Sequence, residues 1–136
     1  MQRQNKTREE PNSITERIIG TAIAFHKLYG PGLLESVYAT CVSRDLTAAG
    51  LDVVTNYPIA LTYKDVHIDC AFRADIIVNR CVLVELKAVD QIAPVHLRQI
   101  RTYLKLADYR VGLLLNFGVS ILKDGGIHRV VNGFPD

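Results

Sequence analysis

Phe72-Arg73-Ala74-Asp75-Ile76-Ile77-Val78-Asn79-Arg80-Cys81-Val82-Leu83-Val84-Glu85-Leu86-Lys87 is the stretch on which the reading of this chain turns. Two runs rich in β-branched residues flank Asn79 and Arg80, the pattern of two strands joined by a short turn. Side chains alternate across a strand, so Phe72, Ala74, Ile76 and Val78 are expected on one face and Arg73, Asp75 and Ile77 on the other. In the second strand Val82, Val84 and Leu86 oppose Leu83, Glu85 and Lys87. A two-residue turn would pair Val78 with Cys81 and set the carboxylates among apolar side chains. A three-residue loop, Asn79 to Cys81, instead pairs Val78 with Val82, Ile76 with Val84 and Asp75 with Glu85, and keeps one face apolar. Asn79 or Arg80 must then accept a bulged turn, for which Asn is suited.

That register leaves two carboxylates with Cβ atoms about 4.5–5.5 Å apart, which like-charge repulsion penalises unless a cation sits between them. Mg²⁺, with oxygen ligands at about 2.1 Å and waters that it retains, fits the gap. Lys87 shares the face of Glu85, where it can orient or deprotonate such a water and stabilise charge on a phosphate. Spacing alone fits a solvated ladder of ion pairs among Arg73, Asp75, Glu85 and Lys87 equally well.

Working outward, Ser13 and Glu16 form a capping-box pattern, followed by Ile14, Ile18, Ala22, Phe25 and Tyr29 at helical spacing. Residues 1–12 lack apolar periodicity and are expected to be a flexible polar tail, with a single domain over 13–136. After Gly30-Pro31-Gly32 a second helix is predicted from about Leu33 to Ala49, with Glu35 in its first turn and a stripe of Leu34, Val37, Tyr38, Cys41 and Val42. Strands follow over Val53 to Tyr63, Val66 to Val78 and Val82 to Val89. Pro94 opens a third helix, and the apolar run Val111 to Phe117 reads as a buried strand. Short strands near Val119 to Leu122 and Ile127 to Val131 complete an α-α-β-β-β-α-β-β order, an α/β fold with a mixed sheet and packed helices.

The 136 residues, 49% hydrophobic and 22% charged, have the size and balance of one domain with a core. No run approaches the roughly 18 apolar residues of a membrane span, and the polar start does not resemble a signal peptide, so a cytoplasmic location is expected. Cys41, Cys70 and Cys81 form no CxxC pair and are expected to be buried, reduced thiols. A net charge of +2 does not by itself imply a nucleic-acid partner.

Several motifs converge on one family. Gly32-Leu-Leu-Glu35-Ser-Val-Tyr38 resembles the signature of the GxxExxY proteins, a branch of the PD-(D/E)XK nuclease superfamily. The likeness continues through Tyr57-Pro58-Ile59, Phe72-Arg73-Ala74-Asp75, Val84-Glu85-Leu86-Lys87, Gln99 with Tyr103, and Leu115-Asn116-Phe117-Gly118; Ala74 stands where the superfamily's name has proline. The resemblance implies a restriction-endonuclease-like core, a mixed central sheet flanked by helices, and metal-dependent cleavage of DNA or RNA with Mg²⁺ or Mn²⁺. It implies Asp75 and Glu85 as metal ligands, the Leu86 carbonyl as a third, Glu35 reaching the metal directly or through water, Lys87 as the catalytic lysine, and Gln99 contacting the site.

Further candidates carry bland alternatives. His96, Gln99 and Tyr103 lie a turn apart and share a helix face toward a substrate, as Arg73 and Tyr38 would from their own elements; Tyr at core spacing more often packs with its hydroxyl bonded. Arg98, Arg101 and Lys105 line a face suited to a phosphate backbone, yet a solvated face is the commoner cause of such a pattern. Two functions therefore stand: a nuclease, or a catalytically silent module of the same fold that binds nucleic acid or a protein. One small domain offers little surface for DNA, so a homodimer or a partner is expected under either.

Overall fold

The computed structural model describes residues 2–132, with side chains from residue 11 onward. Three helices and five strands alternate as α1 (Gln2–Tyr29), α2 (Glu35–Ala48), β1 (Val53–Tyr63), β2 (Val66–Val78), β3 (Val82–Lys87), α3 (Pro94–Ala107), β4 (Val111–Asn116) and β5 (Ile127–Val131). The strands form one mixed sheet in the order β1-β2-β3-β4-β5, parallel only between β3 and β4, where α3 makes the crossover. This is the α/β architecture of a restriction-endonuclease-like core. Among the described residues no helix is long and apolar enough to cross a membrane.

Helical periodicity sets what each layer buries. Ile14, Ile18, Ala22 and Phe25 of α1, with Tyr38, Val42 and Leu46 of α2, pack on Ile76, Val78, Val82, Val84, Leu86, Leu113 and Leu115. On the opposite face Ile100 and Leu104 of α3 cover Ile77, Leu83, Leu114 and Val130. The sheet is thus sandwiched, and β3 and β4 are apolar on both faces because both are covered.

Several expectations differ from what forms. α1 starts at Gln2, not at Ser13, so the Ser13/Glu16 box has no helix end to cap, and the backbone of 2–12, the stretch expected as a tail, is continuous with it. Tyr29, Leu34 and Val37 are exposed, because the buried stripes of the two helices shift toward Phe25 and Leu46. The segment 119–122 forms turns, with no strand there among the described residues. Only Cys81 is buried; Cys70 is exposed and Cys41 half-buried, and no disulfide joins them among the described residues.

The β2–β3 register is the one derived from parity: Val78 faces Val82, Ile77 faces Leu83 and Ile76 faces Val84. Asn79 and Arg80 both adopt left-handed backbone, at φ 51° and 53°, as the three-residue loop requires. Face alternation, however, breaks at Asp75. Ile76 and Val78 pack under α1 and α2, whereas Ala74 and Phe72, of the same parity, pack with α3. The neighbouring strand has its own irregularity at this level: Asn56, between the pairs Thr55–Ile76 and Tyr57–Ala74, sits at φ 50°. The pairing of β2 with β3 ends one residue before this change of face, at Ile76.

Candidate functional site

Beyond the Ile76–Val84 pair the carboxylates take over from the backbone ladder between β2 and β3. The Asp75 N–H donates to Glu85 Oε2 at 3.1 Å, and the Leu86 N–H donates to Asp75 Oδ2 at 2.9 Å. Each strand thus orients the other's acid. Glu35 reaches the same place from the first turn of α2, where its Oε2 accepts the Ala88 N–H at 3.3 Å. A cleft of about 330 Å³ opens there, lined by Glu35, Ser36, Ala39, Thr40, Thr55, Asn56 and Asp75.

The acids are held together against their charge. Burial, then the charge of Asp75, pushes the Glu85 carboxyl up to about 8. Burial also raises Asp75, opposed by the Leu86 N–H, and Glu35 adds repulsion. Both carboxyls are pushed toward the protonated form, Glu85 partly by the charge of Asp75. Lys87 lies near enough for its ammonium to pull both back toward ionisation. No ion-pair ladder forms among the described residues: Arg73 turns away and donates to the Asn56 carbonyl at 3.3 Å.

The remaining candidates separate. Tyr103 is half-buried and stacks on Phe72, ring centroids 3.4 Å apart, with its hydroxyl raised by burial and by the charges of Glu85 and Asp75, so it borders the site. Gln99 is exposed on α3 one turn before it, and Arg98, Arg101 and Lys105 are exposed on the same helix. His96 has a local task, its Nδ1 accepting the Ala93 N–H at 3.0 Å and capping α3. Tyr38 faces inward. It is fully buried, stacked on Phe117 at 4.3 Å, and its hydroxyl accepts from the Leu33 N–H while donating to the Gly30 carbonyl at 2.5 Å. Its work is to pin the turn that delivers Glu35.

Two groups escape reasoning from spacing. Ser36, Thr40, Thr55 and Asn56 line the cleft, and only the adjacency of Ser36 to Glu35 marked them. Asn116, a buried polar residue ending an apolar strand, receives the N–H groups of Val89 and Gly118 at 3.0 Å each and donates to the Val89 carbonyl at 2.9 Å. The Phe117 N–H adds a bond to the Lys87 carbonyl at 2.7 Å. This clamp fixes the chain leaving Lys87, and Asn116 was legible as a polar interruption of Val111–Phe117.

The family model of the PD-(D/E)XK nuclease superfamily matches residues 12–130. The chain belongs to that superfamily. Nucleases of the PD-(D/E)XK superfamily generally use divalent metals and act on nucleic acid. No curated protein and no solved structure matches the chain closely enough to add to this. Among the described residues no three His, Cys, Asp or Glu side chains gather into a metal cage of protein atoms alone. The donor chemistry still fits a hard divalent cation, since Mg²⁺ is usually held by one or two carboxylates, its remaining positions going to water and substrate phosphate. A half-buried pair of acids, both raised above the ordinary carboxyl range, has that character.

Proposed function

We propose that the chain is a metal-dependent nuclease of the GxxExxY branch that hydrolyses phosphodiester bonds in DNA or RNA with Mg²⁺, for which Mn²⁺ substitutes. The observation that carries this reading is the half-buried Asp75–Glu85 pair, held by the Asp75 and Leu86 N–H groups, with the Glu85 carboxyl raised by burial and by the charge of Asp75. Asp75 and Glu85 would hold the ion, with the Leu86 carbonyl beside them and Glu35 joining from α2 directly or through water. The bound cation would supply a lowered pKa for water and charge neutralisation at the phosphate.

The chain's own groups account for the rest. Lys87, on the face of Glu85, would orient the attacking water and face the charge that develops on the phosphate. Gln99, with Tyr103 a turn further on, positions the phosphate or the water; Arg73 and the exposed Arg98, Arg101 and Lys105 guide the strand toward the site. His96 keeps its Nε2 for a contact of this kind while Nδ1 caps the helix.

Calorimetric titration of Mn²⁺ into wild type and Asp75→Ala, run beside cleavage of single- and double-stranded DNA and RNA, tests the proposal. Metal binding lost in Asp75→Ala, with cleavage lost in Lys87→Ala at unchanged folding and metal affinity, is the expected result. Metal binding without cleavage of any of the four substrates would favour the second reading, a silent module that binds nucleic acid or a protein. Failure of the folded wild type to bind metal would sink both the site and its chemistry.

A further inference from the structure

The β1–β2 hairpin outruns the sheet that carries it. β3 pairs with β2 only over Ile76–Val78, so among the described strands Val66–Ala74 have β1 alone as neighbour. At about 3.3 Å per residue this is an arm of roughly 25–30 Å, leaving from the end of β3 at which Lys87 lies. Its base is packed, with Ile59 and Ala74 buried and Phe72 stacked on Tyr103. Its distal part is bare: Tyr63 is 62% exposed, Val66 50% and Ile68 43%.

The bare side chains share a face. Tyr63 is paired with Val66 and Leu61 with Ile68, so alternation puts all four together. Thr62, His67 and Asp69 occupy the other face and satisfy one another, at 2.8 Å from Thr62 Oγ1 to His67 Nδ1 and 3.0 Å from His67 Nε2 to Asp69 Oδ1. A two-stranded ribbon with one apolar face in water is marginal; three or more strands, or packing against a helix, stabilise it.

The outer edge of β1 is open among the described residues, since β1 is the first strand of the sheet. Pro58, which lacks an N–H, and Asn56 at φ 50° close its lower half to strand addition. Ile59-Ala60-Leu61-Thr62-Tyr63 contains neither proline nor charge. We propose that this edge is a homodimer interface, pairing antiparallel with the same segment of a second copy about a two-fold axis at Leu61.

Three observations favour a second copy over another occupant. From Tyr57 to Tyr63 there is no charge, so the segment meets no repulsion from its own image. Centring on Leu61 sets Ile59 against Tyr63 of the second copy, a favourable aromatic–β-branched pair, and ends the pairing at Pro58 and the Lys64–Asp65 turn. The two arms then merge into a four-stranded sheet, each exposed tip lying beside the packed base of the other copy. The apolar face offers no cation to a phosphate backbone.

Sedimentation velocity on the full chain tests the pairing. Wild type is expected to be dimeric at micromolar concentration, and Lys87→Ala equally so, because the arm does not depend on catalysis. Leu61→Lys and Leu61→Glu, each folded by circular dichroism, should be monomeric, and mixing them should restore a dimer by placing opposite charges across the axis. Tyr63→Ser, at an already exposed position, should weaken the dimer at least tenfold and serves if the charged variants do not fold. A monomeric wild type, one that assembles only when nucleic acid or another protein is added, or a Leu61→Lys chain as dimeric as wild type, overturns the proposal.

Discussion

At the scale of single residues the raised carboxyl of Glu85 sets a direction that can be measured. Between the ordinary carboxyl value of 4.5 and about 8, folded Glu85 holds a proton that the unfolded chain has released. The folded state therefore binds more protons over this window, and stability falls as pH rises through it. The metal-free protein should be most stable near the acid side of the window and lose on the order of a few kcal/mol by its upper end. Thermal melts in chelator from pH 5 to 8.5 check this, and Glu85→Gln should flatten the slope. Metal binding has the opposite dependence, because the ion must displace the proton. Mn²⁺ affinity should rise with pH until about 8, with heat that varies with the buffer as protons are released. A wild-type melt that is flat across the window would mean that the acids are not forced together. That Asp75 and Glu85 come together was legible from the hairpin register, which the pairing of Ile76 with Val84 fixes one residue away on each strand. The bonds from Asp75 N–H to Glu85 and from Leu86 N–H to Asp75 were not, since they exist only where the ladder lapses.

At the scale of elements the site depends on how β3 is held after its last residue. Gly118 lies so close to the Val89 backbone that an added Cβ would stand 2.3 Å from the Val89 carbonyl oxygen and 2.7 Å from its nitrogen. Backbone cannot swing aside as a side chain does, so Gly118→Ala should break the Asn116 clamp and shift the exit from Lys87. A loss of about 1–3 kcal/mol, as in overpacked cores, is expected, with reduced metal affinity in the fraction that still folds. A chemical denaturation curve and a Mn²⁺ titration of the variant measure both. Tyr38→Phe should be milder: it leaves the stack on Phe117 and removes the bonds to Gly30 and Leu33, at a cost of about 1–2 kcal/mol. The boundaries of β1, β2 and α3 were readable because Pro94, the turn at Lys64–Asp65 and β-branched runs mark them locally. The switch of faces at Asp75 was not. It coincides with the left-handed backbone of Asn56 on the neighbouring strand, which the pattern of 72–78 does not report. The run 119–122 misled for the opposite reason, since its apolar residues suit a strand but no neighbouring edge receives it.

At the scale of the molecule the site is assembled from three elements distant in sequence, Glu35 on α2, Asp75 on β2 and Glu85 with Lys87 on β3, which meet only in the folded chain. An ion bound there must therefore stabilise the whole fold, because the unfolded chain has no site to offer. At a concentration one hundred times its dissociation constant it should add about 2.7 kcal/mol. For a domain near 150 residues, each kcal/mol is worth roughly 2–4 °C, so the melting temperature should rise by roughly 5–10 °C. The shift should be larger at pH 8 than at pH 6, since the ion relieves a repulsion that the proton relieves at lower pH. Asp75→Ala should abolish it, and Lys87→Ala should keep it, because the proposed mechanism gives Lys87 the water and the phosphate and gives the ion to the carboxylates. Differential scanning calorimetry of the three proteins, with and without Mn²⁺ at two pH values, separates the alternatives. A rise retained by Asp75→Ala would place the ion elsewhere on the surface; loss of the rise in Lys87→Ala would make the lysine part of the metal-holding framework and leave the attacking water without its assigned partner.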